Sequence, residues 1–316
     1  ENRINVVNYI DTVSKPSLNS NFKKTIQVLK SIVVLRKWIS KNKIGFIHAH
    51  YSSSYGLLGG FLNHKTLVSS FWGSDIMDFP KKSIIHQLVI KWILMRSTFL
   101  MSTSISMKIE LNKYTSKSVF LTPFGVDTDL FIPKTNSKDG DGIIIGTIKS
   151  LNSVYGIDKL IHAFDLIVKS KQNSQLHIYG KGDEKRNLKT LAKSLGLEHK
   201  VFFKGFVSGD NLVEAYQSLD IFVALSRRES FGVSVLEASS CQIPVVVSNV
   251  GGLPEVVENN KTGFIVENGN SDLAAEKIIL LSESENLRNE FGTKGREFVI
   301  EKYKLEQVQN NMLTIY

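Results

Sequence analysis

Two carboxylates, Glu229 and Glu237, stand eight residues apart in the run Ser226-Arg227-Arg228-Glu229-Ser230-Phe231-Gly232-Val233-Ser234-Val235-Leu236-Glu237-Ala238. The run follows an apolar stretch at 220–224, so it reads as strand, loop and helix start. A helix N-terminus offers backbone N–H groups with no partner in the helix, and the positive end of its dipole, which together suit a phosphate. Gly232 would let a ligand come close to the main chain. At ~1.5 Å per helical residue the two glutamates lie roughly 12 Å apart along the backbone, wider than the about 5–9.5 Å of a carboxyl pair that cleaves glycosides. Carboxylates so separated suit hydrogen bonds from two sets of hydroxyls on one ligand. The plainer alternative is a helix capped by Ser230 that carries one exposed glutamate.

Other chemistry-bearing residues give weaker signals. His48 and His50 close a strand-like run, and ligands of parallel sheets bind beyond strand C-termini. Each serves equally well as a structural histidine. Asp75, after Trp72-Gly73-Ser74, is a second candidate to line a cleft, or else a turn or N-cap residue. Gly180-x-Gly182 lacks the third glycine of a dinucleotide fingerprint, which argues against NAD. Cys241 is the single cysteine, so a disulfide scaffold is excluded and a packing role is expected.

Positioning such groups requires alternating strands and helices, and the chain is built that way. Strand-like runs fall at 4–9, 44–50, 66–71, 98–103 and 118–122, with helical patterns at 20–40, 54–62, 83–96 and 105–113 between them. The theme repeats with strands at 143–148, 175–179, 201–204, 220–224, 244–248 and 263–266, and helices at 156–170, 184–195, 210–217, 231–241, 253–258 and 271–282. Alternation with apolar strands predicts two parallel sheets covered by helices on both faces. The polar, glycine-bearing stretch 134–142 lacks apolar periodicity and reads as the seam. Domains are therefore expected at 1–136 and 137–295, with an amphipathic tail within 296–316 returning to the first.

With 316 residues and 42% apolar composition the chain can form two cores, and disorder is excluded. The net charge of +9 is unevenly spread. Residues 1–140 hold 19 Lys and Arg against 8 Asp and Glu (+11), whereas 141–316 hold 20 against 22 (−2). Two basic helices stand out in the front half: Phe22, Ile26, Leu29, Ile32 and Val33 among Lys23, Lys24, Lys30, Arg36 and Lys37, and Ile84, Ile85, Leu88, Val89, Trp92 and Ile93 beside Lys81, Lys82, Lys91 and Arg96. Peripheral contact with an anionic membrane is expected from them. Nucleic acid is not, because no nucleic-acid motif accompanies the charge. The most apolar stretch, Ser83–Met101, is interrupted by His86, Lys91 and Arg96 and is not a membrane span. The expected location is the cytoplasm, at the inner face of the cell membrane.

Glu229-x7-Glu237 resembles the signature of the family 4 retaining glycosyltransferases, which have the two-lobed GT-B fold. The resemblance continues in Gly146-Thr147-Ile148-Lys149-Ser150-Leu151, Tyr155-Gly156-Ile157-Asp158-Lys159-Leu160-Ile161, His177-Ile178-Tyr179-Gly180-Lys181-Gly182 and Val201-Phe202-Phe203-Lys204-Gly205. It extends to Pro244-Val245-Val246-Val247-Ser248 and Val250-Gly251-Gly252-Leu253-Pro254-Glu255-Val256-Val257, and in the front half to His48-Ala49-His50, Trp72-Gly73-Ser74-Asp75 and Pro123-Phe124-Gly125-Val126-Asp127.

The fold this implies is two Rossmann-like domains facing a central cleft. The activity implied is transfer of a sugar from a nucleotide-sugar donor to a glycan or lipid-linked acceptor, in cell-surface polysaccharide or glycolipid synthesis. Glu229 would contact the donor sugar, the backbone of Phe231, Gly232 and Val233 the sugar and phosphate, and Glu237 the ribose hydroxyls. The family's diphosphate-binding Arg is Thr147 here, and its usual Lys-Gly reads Tyr155-Gly156, which leaves Lys149 for that work. His50 and Asp75 are the acceptor-side candidates, while Trp72, where many members have His, keeps a stacking or packing role. Asp127-Thr128-Asp129 matches the Asp-x-Asp metal pattern of the other glycosyltransferase fold but sits at a turn, so neither metal nor cofactor is expected. The family's first strand leads into a glycine-rich loop, and none lies near Ile4–Tyr9, so the first β-α unit is expected to be missing. Two other functions stay open: a nucleotide-sugar-binding partner without catalysis, and a sugar-nucleotide epimerase of related architecture.

Overall fold

The computed structural model describes residues 21–134 and 142–316, with side chains described from residue 31 onward. The strand expected at 4–9, and all of the expected seam except Lys134 and Gly142, lie outside the described residues. Two compact units are present: residues up to Ser102 with Glu110–Phe120, and Thr103–Ile109 with Leu121–Tyr316.

The first unit runs α1 (Asn21–Asn42), β1 (Ile47–His50), α2 (Leu57–Leu62), β2 (Leu67–Phe71), α3 (Ser74–Met77), α4 (Ile84–Arg96), β3 (Phe99–Ser102), α5 (Ile105–Leu111) and β4 (Val119–Leu121), the end of α5 and the start of β4 closing it. Its four described strands lie in the order β1-β2-β3-β4. The parallel register sets Ile47 opposite Leu67 and Val68 opposite Phe99. Every residue of β2 is buried, as expected for a parallel strand covered on both faces. Trp92 of α4 lies so close to Gly60 of α2 that a Cβ there would come within 2.6 Å of its ring. Ile90, Ile93 and Leu94 are buried, which fixes one side of α4 inward.

The second unit contains β5 (Ile144–Ile148), α6 (Ile157–Ser170), β6 (Gln175–Tyr179), α7 (Lys185–Ser194), β7 (Val201–Gly205), α8 (Asp210–Gln217), β8 (Ile221–Ala224), α9 (Val233–Ser240), β9 (Val245–Ser248), β10 (Gly263–Val266), α10 (Ser271–Glu283), α11 (Glu285–Tyr303) and α12 (Leu305–Leu313). Its sheet has the order β10-β9-β8-β5-β6-β7, and every described pairing is parallel. Alternate side chains of one strand serve different cores. Ile221 and Val223 join Ile161, Phe164 and Ile278 on one face, while Phe222 and Ala224 join Val235, Leu253 and Val299 on the other. Each large side chain so buried contributes about 1.5–3 kcal/mol of transfer free energy.

The helix expected at 253–258 is reduced to a single 3₁₀ turn, Leu253–Glu255. The tail of 296–316 is not one helix: α11 ends at Tyr303 and α12 starts at Leu305, within the second unit. Val126 causes the break, donating its N–H to the Tyr303 carbonyl (2.8 Å) and accepting from the Leu305 N–H (2.9 Å). Arg296 of α11 adds hydrogen bonds to the carbonyls of Thr128, Phe131 and Ser240 at 3.1, 2.9 and 2.5 Å.

Candidate active site

The sheet of the second unit brings β9, β8 and β5 side by side, so the loops leaving their C-termini are neighbours. Lys149 follows β5, Glu229 lies in the loop after β8, and Gly251-Gly252 lies in the loop after β9. Main-chain contacts lock these loops together. Gly252 donates its N–H to the Glu229 carbonyl at 3.1 Å. Gly251 has φ +53°, and a Cβ there would sit 1.8 Å from that carbonyl oxygen, so only glycine fits. Gly180, at φ +144°, gives the same close approach to the Lys149 carbonyl, where a Cβ would come to 1.9 Å.

Lys149 and Glu229, assigned separate contacts from the sequence, are paired: Nζ lies 2.6 Å from Oε2, and the side chains are only 10% and 12% exposed. Ser226 Oγ stands 3.4 Å from the same carboxylate oxygen. The Lys149 ammonium also lies 5.2 Å from the centroid of the Tyr155 ring. Glu237 projects from α9, and its Oε2 accepts from the Tyr216 hydroxyl at 2.6 Å. Burial pushes the Glu237 carboxyl up from its ordinary value, opposed by the Tyr216 hydrogen bond and then by the Lys149 charge.

Phe231 is buried and packs edge-on to Phe124 and Tyr303, with centroids 5.9 and 5.7 Å away. Its side chain is core, which leaves its main chain as the part able to meet a ligand. Gly232, at φ +121°, precedes Val233, the first residue of α9, whose opening turn has N–H groups without helical acceptors. Arg227, given no role from the sequence, braces this loop. It grips Asp158 through two bonds of 2.8 and 2.6 Å and also reaches the Ser153 carbonyl at 2.6 Å. Arg227 neighbours Glu229 in an informative motif, but Asp158 is 69 positions away, so spacing along the chain carried no hint of the pair.

In the first unit, the His48 ring lies 3.8 Å from the exposed His50 ring, which lies 5.2 Å from Trp72. His48 Nε2 is 2.6 Å from Ser70 Oγ. Burial, with a smaller push from His50, lowers the His48 pKa to about 3 and keeps the ring neutral. Asp75 corrects the acceptor-side expectation. It is fully buried, and its carboxylate accepts the backbone N–H groups of Gly73 (2.8 Å), Ser52 (2.9 Å) and Trp72 (3.1 Å). Those bonds make it an internal anchor of two loops, with no oxygen turned to solvent. Asp127 Oδ1 accepts from the N–H groups of Asp129 and Leu130, both at 3.0 Å, closing a turn.

Two parallel α/β units, one sheet of four described strands and one of six, have the architecture of the GT-B fold. Residues 129–298, just over half the chain, match the family model described as glycosyl transferases group 1, and the chain belongs to that family. Residues 4–104 match a second model, glycosyl transferase 4-like. Among curated relatives, the poly(ribitol-phosphate) alpha-N-acetylglucosaminyltransferase of Staphylococcus aureus is 33% identical over 55% of this chain and 35% of its own length. The chain spans less than half the length of the curated relatives it matches in this way. A sucrose-phosphate synthase from Thermosynechococcus elongatus shares the fold, with TM-score 0.82 and 23% identity over 94% of this chain and 79% of that one. A point mutant of S. aureus TarM, solved with fondaparinux, alpha-GlcNAc-glycerol and UDP, aligns with TM-score 0.70 and 26% identity over 80% of this chain and 51% of that chain.

Proposed function

We propose that this chain is a retaining, metal-independent glycosyltransferase that moves a sugar from a nucleotide-sugar donor to a glycan or lipid-linked acceptor in cell-surface polysaccharide or glycolipid synthesis. The observation that carries this reading is the buried Lys149–Glu229 pair in the loops beside α9. Breaking a sugar–phosphate bond builds an oxocarbenium-like sugar and a nucleoside diphosphate. Preorganised positive charge is the main help a protein can give such a leaving group. Lys149 and the first-turn N–H groups of α9 supply it, Glu229 orients the lysine and accepts from sugar hydroxyls, and Glu237 accepts from the ribose. A uridine nucleotide is the first donor to test, because the TarM structure contains UDP.

Product analysis with labelled nucleotide sugars tests the reading. Transfer to an acceptor supports it, whereas isomerised donor would indicate an epimerase and binding without turnover a non-catalytic partner. Turnover is expected to survive chelator, because the positive charge comes from Lys149 and helix α9 and Asp127 holds a turn. Loss of activity in chelator with recovery on manganese would refute the metal-independent part.

The acceptor side of the proposal rests on α4. Among the described residues no helix is long and apolar enough to cross a membrane. Ile84, Ile85 and Leu88 are nevertheless 67%, 67% and 59% exposed, beside exposed Lys81, Lys82 and Lys91. Apolar side chains that can enter a lipid interface, rimmed by cations, fit an anionic surface at roughly 1 kcal/mol per basic residue. Binding to anionic liposomes is therefore expected, falling with added salt. Changing Lys81, Lys82 and Lys91 together to Glu should reduce it while nucleotide affinity stays constant. Equal partition onto neutral and anionic vesicles would remove the electrostatic part of this reading.

A further inference from the structure

Glu237 is held from a second helix. Tyr216, on α8, is fully buried, and its ring is fixed between Phe131 and Phe222 with centroids 5.8 and 5.7 Å away. A phenol has one O–H to donate, and Tyr216 donates it to Glu237 Oε2 at 2.6 Å. Among the described residues this is the only hydrogen bond to the Glu237 carboxylate, so Oε1 keeps its accepting capacity. Among the described residues, no other hydrogen bond fixes which way the carboxylate turns.

We propose that Tyr216 is a positioning residue for donor binding: its hydroxyl pins one oxygen of Glu237 and leaves the other set to accept the ribose hydroxyls of a nucleotide. This rests on the reading of Glu237 as the ribose-binding group. The electrostatics agree with the geometry. Three titratable groups act on or with Glu237: Tyr216 from α8, Lys149 from the loop after β5, and Cys241 just beyond α9. Burial pushes the Tyr216 phenol well above its ordinary value and the Cys241 thiol up to about 12, so both stay neutral and the phenol remains a donor. Burial also raises the Glu237 carboxyl, with the Tyr216 hydrogen bond the larger of the two opposing influences. Removing the hydroxyl raises that carboxyl further. The ionised form is the stronger acceptor, so nucleotide affinity should begin to fall at a higher pH than in the wild type.

Tyr216→Phe keeps the ring and removes only the hydroxyl. Calorimetry with UDP, GDP and ADP should show about tenfold weaker binding at neutral pH, the scale of one hydrogen bond to a charged group. Across the acidic range the variant's loss of affinity should be displaced to higher pH. Ionisation of the ligand phosphate is common to both proteins and cancels in their ratio. Carbon-13 NMR of the labelled glutamate carboxyls, on protein without nucleotide, should show the Glu237 titration moved upward in the variant. The melting temperature is read alongside, so that a global loss of structure is not taken for a local one. Wild-type affinity with an unmoved Glu237 titration would overturn the proposal and leave the donor reading intact. If the wild type bound none of the three diphosphates, the donor reading would fail, and this assignment with it.

Discussion

Lys149→Met is expected to slow sugar transfer by about 10²–10³-fold, the loss seen when one preorganised electrostatic donor is removed from a transition state. The methionine fills similar space but leaves Glu229 without the cation 2.6 Å away. Breaking a buried pair from one side costs up to about 3–5 kcal/mol, and the 10% and 12% exposure of these side chains places this pair near the buried limit. Glu229→Gln should behave differently. It frees the ammonium for a phosphate, so the bare nucleoside diphosphate should bind at least as well as to the wild type, while turnover of the nucleotide sugar falls. Single-turnover rates and calorimetry on both variants, together with the double variant, give the coupling between them. Near-normal transfer by Lys149→Met would end the assignment of that residue to the leaving group.

Glu237→Ala should weaken binding of the bare nucleoside diphosphate by about 1.5–3 kcal/mol, roughly 10- to 150-fold. It also strands the buried Tyr216 hydroxyl, at a further stability cost of about 1–3 kcal/mol. Glu237→Gln, which keeps an acceptor for that hydroxyl, separates the two effects: it should restore most of the stability but not the affinity. Equal diphosphate affinity in Glu229→Ala and Glu237→Ala would refute the division of labour between the glutamates.

Local patterns were legible in the sequence, and non-local pairings were not. Strand positions follow from short β-rich runs and helix positions from the 3.6-residue apolar period, which is why β2, β8 and α6 fall where the residue pattern puts them. The start of α9, with Glu229 and Glu237, lies within one contiguous motif and could be read directly. The Lys149–Glu229 pair spans 80 positions and Tyr216–Glu237 spans 21, crossing strand boundaries in each case. Periodicity carries no information about such partners. Tyr216 also looks like any apolar helix residue. Asp75 shows a related limit, because an aspartate before an apolar run is equally compatible with a ligand contact and with the inward loop anchor it forms. In α4, apolar residues occur on all sides, so its spacing could not separate the buried face from the face left exposed.

The adjacency of β5 and β8 also bears on how this protein reaches its working state. These strands pair through Ile145–Ile221 and Gly146–Phe222, with β6 and β7 synthesised between them. Closing a loop of that length costs entropy that must be lost before the contacts repay it, which slows pairing of this kind. A nascent chain released as far as β7 holds Lys149 but not its glutamate, and the glycine clasp at 251–252 arrives later still. Under the proposed function, nucleotide affinity is expected only once β8 and the loops after β8 and β9 have joined β5, so ligand capture would report completion of the second unit.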